Sequence, residues 1–416
     1  MRSEEPIIAF LGTYSPRECG MATYLQDLVY EMDRQSRQSS KIIAMDEPGA
    51  TRAYPPNVAW RIRQRKRADY LKVAIEVGRS DVAIVCVQHD FALFWNHPKE
   101  EGGTIVRLPN LEKEEKPDDG EALLDFLRAV QQPVVTTLHT VQPGPSSSRR
   151  EMVREIDALS AGIITVSRSA MRILHGDYGI STRRIAYIPH GIPSVVRSTG
   201  AGRAAKERLG CDGRAVLLTL GFVHPDKGIE YVIEALPMLV ERHPEILYLV
   251  AGPTHTLAQR YWGNDYWGNG YRQHLQRLVD DLHLHDHVRF DNFFLQQSVV
   301  ADYFLAADMC LVPYLDPDQN TSGALSYALG YGKATIATPF SYAQEMLAEG
   351  CGLIVAFRSA EGIRDAVEQV LTNSELKAAL ERNAFASTRH MRWPRIAATH
   401  KQLFLRYVRS APCTDP

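Results

Sequence analysis

A lysine and a glycine precede one predicted helix of the chain. Residues 220–236 read LGFVHPDKGIEYVIEAL, which indicates a strand, a short loop, and an amphipathic helix that begins after Lys227 and Gly228. A flexible ammonium beside a helix N-terminus suits a diphosphate, because the ammonium and the helix dipole both favour an anion there. The alternative is a solvated lysine that only precedes a helix.

A second segment places hydroxyl groups where a helix begins. Thr321, Ser322 and Gly323 stand at the start of a predicted helix that runs through Leu329 and ends at Gly332. Hydroxyls and free N–H groups at such a start bind phosphate or cap the helix, and one residue can do both.

Small and polar residues also follow predicted strands in the N-terminal half. Gly20 begins a helix after a strand, within GTYSPRECGMATY at residues 12–24. A glycine there lets backbone N–H groups approach an anion closely, although a structural turn explains it equally well. His139 follows the apolar run VVTTL at the end of another strand. A histidine at this position is either a ligand-binding group or a structural one.

The elements that would position these residues form two series of strands and helices. Short β-branched runs alternate with amphipathic helices, which is typical of a parallel sheet covered on both faces. The prediction is an α/β protein of two Rossmann-like domains that face a central cleft, at residues 1–195 and 196–394. The linker falls within Pro193–Gly210, and a C-terminal helix at 395–412 packs back on the first domain.

Composition excludes several classes of function. The 416 residues suit two domains, and a net charge of −2 gives no reason to expect a nucleic-acid partner. The six cysteines form no C-x-x-C pair, which favours a reducing compartment. The N-terminal residues do not resemble a signal peptide, and no apolar run is long enough to span a membrane.

Two stretches read as inserted loops. Trp95–Gly120 is rich in Glu, Lys, Asp and Gly, which predicts a solvated loop or a lid. Thr254–Tyr271 contains YWGNDYWGNGY, where Trp262 or Trp267 would stack on a sugar ring or pack within a glycine-rich turn.

One basic stretch lies at residues 60–74. Five Arg or Lys residues between Arg61 and Arg67 stand beside Trp60 and Tyr70. This pattern suits peripheral contact of Trp60–Tyr70 with an anionic bilayer, and the alternative is a solvated helix face.

A series of motifs covers nearly the whole chain. They are PRECGMATY, TTLHT, ITVSRSA, IAYIPHGI, LGFVHPDKGIEYVIEAL, LVAGPTH, VRFDNFF, AADMCLVPY and TSGALSYALGYGKATIATP. In this order they resemble the retaining glycosyltransferases of family four, which have the glycosyltransferase-B fold, and PRECG together with TSG is similar to a bacterial subgroup.

The resemblance implies roles for matching residues. Gly20 corresponds to the glycine that approaches the donor diphosphate, His139 to a histidine near the transferred sugar, and Lys227 to a phosphate-binding lysine. The helix start beside the phosphate and sugar corresponds to Thr321, Ser322 and Gly323. The resemblance implies no metal and no cofactor, and Asp316-Pro317-Asp318 is interpreted as a turn rather than a metal motif.

Two departures from the family pattern concern the donor site. Phe222 stands where the family has an arginine, and His224 is the candidate substitute. Gln319 and Tyr327 stand where the family has two glutamates. Gln319 retains hydrogen-bonding groups for sugar hydroxyls, whereas Tyr327 cannot replace a carboxylate, so Glu345 is the candidate for that role.

The implied activity is metal-independent transfer of a hexose, with retention, from a nucleotide sugar to a glycan, lipid-linked or small-molecule acceptor. His139, Lys227 and Gln319 are the catalytic candidates. The expected location is cytoplasmic, with peripheral contact at the inner membrane face as an option. The alternative function is a degenerate, non-catalytic subunit that binds a sugar nucleotide. A dehydrogenase is disfavoured because no G-x-G-x-x-G follows the first strand.

Overall fold

The computed structural model describes residues 5–94, 100–101, 104–105, 120–195, 198, 200–254 and 269–410. The loop interpretations for 95–119 and 255–268, including Trp262 and Trp267, lie outside the described residues. The chain divides into two compact units. Of the residues between 120 and 410, the first unit contains those up to 191 and those from 391 onward, and the second contains 192–390.

The first unit is built on a seven-stranded parallel sheet. Its strands are β1 (Ile7–Gly12), β2 (Lys41–Asp46), β3 (Val58–Arg63), β4 (Val82–His89), β7 (Val134–Leu138), β8 (Gly162–Thr165) and β9 (Ile185–Tyr187). A short antiparallel pair, β5 (Glu100–Glu101) and β6 (Thr104–Ile105), forms a separate sheet. The order in the large sheet is β3-β2-β1-β4-β7-β8-β9. Strands β1, β2, β4, β7 and β8 are buried on both faces, as expected of a parallel sheet covered by helices on both sides.

Alternate residues of β1 point into two different cores. Ile8 and Phe10 contribute to one core, and Ala9 and Leu11 to the other, as the period of two in a strand requires. The helices before residue 195 are α1 (Gly20–Arg34), α2 (Arg67–Gly78), α3 (Phe91–Phe94), α4 (Glu121–Ala129), α5 (Ser147–Leu159) and α6 (Arg168–Gly176).

The second unit contains a six-stranded parallel sheet. Its strands are β10 (Ala215–Leu220), β11 (Ile246–Ala251), β12 (Val288–Asp291), β13 (Met309–Val312), β14 (Ala334–Ala337) and β15 (Leu353–Ile354), in the order β12-β11-β10-β13-β14-β15. Its helices are α7 (Ala201–Arg208), α8 (Ile229–Arg242), α9 (Asn269–Asp281), α10 (Gln297–Ala306), α11 (Gly323–Gly330), α12 (Ser341–Met346), α13 (Ala360–Thr372) and α14 (Ser374–Ser387). The predicted α/β architecture with two Rossmann-like domains is confirmed.

The last helix, α15 (Trp393–Ser410), belongs to the first unit. It packs against α1, and Phe404 contacts the edge of Phe10 with ring centroids 6.1 Å apart. Phe404 is fully buried, and burial of such a side chain contributes about 1.5–3 kcal/mol to stability. The helix therefore covers one face of the seven-stranded sheet.

The interpretation of residues 60–74 as a single helix face is wrong, whereas membrane contact of this stretch stays a prediction. The stretch divides between strand β3 and helix α2. In β3, Ile62 is buried and its neighbours Arg61 and Arg63 are exposed. Tyr70 is fully buried and donates a hydrogen bond to the Gln64 carbonyl at 3.0 Å. Tyr70 is therefore unavailable for membrane contact. Arg61 pairs with Asp46 at 2.7 Å, which offsets part of the positive charge.

Candidate functional site

The loop between β10 and α8, which we call the donor loop (Gly221–Gly228), is clamped against the chain that follows β13. The Leu315 N–H donates to the Asp226 carbonyl at 2.9 Å. Gly228 has φ +61°, and a Cβ placed there would lie 2.2 Å from the Pro313 carbonyl oxygen. Only glycine combines this backbone conformation with such a close approach. The clamp fixes the place from which the Lys227 side chain extends.

Tyr314 contacts two residues that the sequence analysis predicts to bind the donor. Lys227 Nζ lies 3.5 Å from the centroid of the Tyr314 ring. Ser322 Oγ donates a hydrogen bond to the Tyr314 hydroxyl oxygen at 3.4 Å. The structure thus brings Lys227 and Ser322 together around a side chain that is 2% exposed. Sequence reasoning missed Tyr314, because its contacts with Lys227 and Ser322 join separate segments of the chain.

Ser322 is the N-cap of α11. Its Oγ accepts a hydrogen bond from the Leu325 N–H at 3.2 Å, and its carbonyl accepts one from Ser326 Oγ at 2.9 Å. Gly323 is the first helical residue, and Thr321 lies just before the cap. The capping interpretation is confirmed, and the positive end of the helix dipole lies at these three residues.

Gln319 lies in the turn that precedes the cap. Its side-chain Nε2 donates to the Thr321 carbonyl at 3.0 Å, and its own carbonyl accepts from the Tyr342 N–H at 3.0 Å. The Asp318 N–H donates to Asp316 Oδ1 at 3.0 Å, so the predicted turn at these aspartates is confirmed. Gln319 Oε1 keeps acceptor capacity for a hydroxyl group.

Phe222, His224 and Tyr327, which concern the departures from the family pattern, each contact a different part of the second unit. Phe222 contacts Phe294, with ring centroids 6.2 Å apart. The carbonyl of His224 accepts a hydrogen bond from the Lys227 N–H at 3.0 Å. Tyr327 is 8% exposed, and its hydroxyl oxygen accepts a hydrogen bond from Gln297 Nε2 at 3.0 Å.

Glu345 is half-buried on α12. Its role as a substitute for the missing glutamate stays a prediction.

In the first unit, Gly20 is the first residue of α1. The helix is capped by Cys19, whose Sγ accepts from the Ala22 N–H at 3.4 Å and donates to Thr13 Oγ1 at 3.2 Å. Gly20 is exposed, and a Cβ placed there would meet no atom within 4 Å. Neither packing nor backbone conformation within the described residues requires a glycine at this position.

His139 follows β7 and is oriented by its neighbours. Its Nε2 lies 2.8 Å from Gln88 Oε1, and Gln88 Nε2 donates to Cys86 Sγ at 3.1 Å. The edge of Tyr24 contacts the imidazole, with ring centroids 4.9 Å apart and planes at 85°. Sequence reasoning missed Gln88 and Tyr24, because partners from other elements are not visible in the local pattern.

Burial keeps His139 neutral. Desolvation lowers its pKa to about 3, with smaller contributions from His190 and His400. Burial likewise lowers the pKa of His190 to about 4. At neutral pH these imidazoles form hydrogen bonds but carry no charge. His139 therefore suits a sugar hydroxyl better than a phosphate.

Among the described residues, no group of three His, Cys, Asp or Glu side chains is placed to hold a metal ion. No described helix has the length and apolarity needed to cross a membrane.

Two family models match the chain in series. Residues 116–194 match Glycosyltransferase Family 4, and residues 203–387 match Glycosyl transferases group 1. D-inositol 3-phosphate glycosyltransferase 2 of Catenulispora acidiphila is 25% identical over 56% of this chain and 51% of its own length. The phosphatidyl-myo-inositol mannosyltransferase of Mycolicibacterium smegmatis is 24% identical over 65% of this chain and 64% of its own length. The chain thus spans about half to two thirds of these curated relatives.

Solved structures share the fold over almost the whole chain. Sucrose-phosphate synthase of Thermosynechococcus elongatus has a TM-score of 0.71 at 16% identity, covering 98% of this chain and 100% of that one. HepE of Anabaena, in complex with UDP-glucose, has a TM-score of 0.68 at 15% identity, covering 97% and 100%. The chain therefore has the two-domain glycosyltransferase-B fold, and its two consecutive family matches are both to glycosyltransferases.

Proposed function

We propose that the chain is a retaining, metal-independent glycosyltransferase that moves a hexose from a nucleotide sugar to a glycan, lipid-linked or small-molecule acceptor. One observation carries the proposal: Lys227, held 3.5 Å from the Tyr314 ring centroid, shares that tyrosine with the Ser322 cap of α11. A lysine ammonium and a helix N-terminus near one another offer two positive groups to a leaving diphosphate. The UDP-glucose complex of HepE supports this class of donor.

In this mechanism the bond from the anomeric carbon to the diphosphate breaks, and an acceptor hydroxyl attacks from the same face and gives its proton to the departing diphosphate. Lys227 and the amides at the start of α11 stabilise the negative charge that develops on the diphosphate. For Gly20 the proposed role is the one that the sequence resemblance implies, namely that a glycine there lets backbone amides approach a donor phosphate. The N–H of the neutral His139 points to Gln88 Oε1, so its other nitrogen accepts a hydrogen bond from a sugar hydroxyl. Gln319 Oε1 accepts one from another sugar hydroxyl.

Replacing Lys227 tests the assignment directly. Lys227→Ala removes a half-buried side chain without leaving a buried partner charge, so the melting temperature should change little. Turnover should fall about 100-fold, equivalent to roughly 2–3 kcal/mol of lost transition-state stabilisation. Turnover near that of the wild type would refute the role of Lys227.

The donor is identified by a thermal-shift panel of UDP-, GDP- and ADP-sugars without metal, followed by donor turnover. Stabilisation with slow donor hydrolysis supports the proposal and names the donor. Stabilisation without turnover across a broad acceptor set would instead indicate a non-catalytic binding subunit. The acceptor is then sought among glycans, lipid-linked sugars and small hydroxylated molecules.

A further inference from the structure

Tyr314 is itself held firmly. Phe340 stacks on its ring with centroids 5.0 Å apart and planes at 22°. The Tyr314 carbonyl accepts a hydrogen bond from Thr338 Oγ1 at 2.5 Å. Its side chain is buried and contacts both Lys227 and Ser322. A ring fixed in this way is a rigid surface for the flexible chain of Lys227.

We infer that Tyr314 is a positioning residue that holds the Lys227 ammonium ready for an anionic phosphate ligand. The face of an aromatic ring attracts an ammonium through its quadrupole. A free lysine loses rotamer entropy when a ligand fixes it, and a lysine already held on a ring has lost much of that entropy beforehand. This inference rests on the proposed function, because it concerns the same donor phosphates.

The composition of the donor loop makes this placement matter. Lys227 is the only lysine or arginine in the sequence of the donor loop, GFVHPDKG. An ammonium has three N–H bonds, and the ring occupies one side of it. The remaining N–H groups are available to phosphate oxygens while the ring contact persists, so donor binding does not have to break that contact.

The position of the ammonium is tested first, without ligand. Lysines are reductively ¹³C-methylated, and the Lys227 signal is assigned by its loss in Lys227→Arg. A methyl group over a ring face is shifted upfield by the ring current. We expect this shift in the wild type and in Tyr314→Phe, and its loss in Tyr314→Leu. A Lys227 signal at the position of solvated lysines in the wild type would overturn the inference.

Ligand binding is tested by calorimetry with UDP, GDP and ADP. Tyr314→Phe keeps the ring and should stay within about two-fold of the wild-type Kd, whereas Tyr314→Leu should weaken the tightest nucleotide about ten-fold. Tyr248→Leu is the matched control. It removes the same atoms from a buried site on β11, where the Tyr248 hydroxyl donates to Thr219 Oγ1 at 2.8 Å, and should leave the Kd unchanged.

The outcomes separate this inference from the proposed function. If the wild type binds a nucleotide and Lys227→Ala weakens binding, but Tyr314→Leu binds as well as the wild type or more tightly, only the role of Tyr314 is overturned. If the wild type binds none of the three nucleotides, the proposed function fails, and with it the ligand role of Tyr314. Tyr314→Met replaces the leucine variant if the latter does not fold.

Discussion

At the scale of single residues, a substitution of Gly20 should affect turnover without affecting stability. Because a Cβ at this position would meet no atom within 4 Å, Gly20→Ala should leave the melting temperature unchanged or raise it slightly. If the donor diphosphate approaches the amides at the start of α1, the added methyl group should lower turnover about ten-fold. Steady-state kinetics and a melting curve on the same preparation check both halves. Unchanged turnover would leave Gly20 as a simple helix start.

The buried histidines predict how stability depends on pH. Burial lowers the pKa of His400 from 6.5 to about 4, so the unfolded chain takes up its proton before the folded chain does. The folded state is therefore most stable above pH 6.5 and loses about 1.4 kcal/mol per pH unit for each such histidine as the pH falls toward 4.

His400→Gln should reduce the dependence of the free energy of unfolding on pH by about 1.4 kcal/mol per pH unit, the contribution of one proton. Urea unfolding between pH 7.5 and 5 measures the free energy of unfolding for both chains. Equal slopes for the variant and the wild type would show that His400 does not stay neutral.

The candidate site was only partly predictable from sequence. Ser322 was visible as a cap because an N-cap is read from neighbouring residues. Tyr314, Gln88 and Tyr24 were not, since each contacts the predicted residues from a different strand or helix. Ring faces and side-chain amides leave no periodic signal, so contacts of this kind are found only in three dimensions.

At the scale of elements, the donor loop depends on Gly228. Gly228→Ala would bring its Cβ to 2.2 Å from the Pro313 carbonyl oxygen at φ +61°, so the loop must move away from β13. We expect the melting temperature to fall by about 5–10 °C and nucleotide binding to be lost.

Gly213→Ala is the control for Gly228. Gly213 also has a positive φ, of +72°, but a Cβ there would meet nothing within 4 Å. It should cost about 1 kcal/mol of backbone strain and leave nucleotide binding intact. Similar losses of binding in both variants would argue against a specific clamp on the donor loop.

Element boundaries were predicted well where apolar runs are continuous. Helices α1, α8 and α11 begin where the sequence predicted, because a glycine or a capping serine stands at each start. The stretch at residues 60–74 was misread, since a short edge strand followed at once by a helix mixes periods of two and 3.6.

At the scale of the whole molecule, stability should be divided between the two units. Phe404→Ala removes a fully buried ring from α15 and should cost the first unit about 3–5 kcal/mol. Hydrogen exchange should then speed up in peptides from residues 5–94 and 120–191, with little change in 200–254 and 269–387. Equal acceleration in both sets would mean that the two units unfold together.

The return of α15 to the first unit has a consequence for biosynthesis. Residues 192–390 leave the ribosome before α15 does, so the second unit can fold while the first still lacks the helix that covers the Phe10 side of its sheet. The half that is translated first is thus completed last. Until then its nascent sheet presents an uncovered apolar face, a substrate for chaperones during translation.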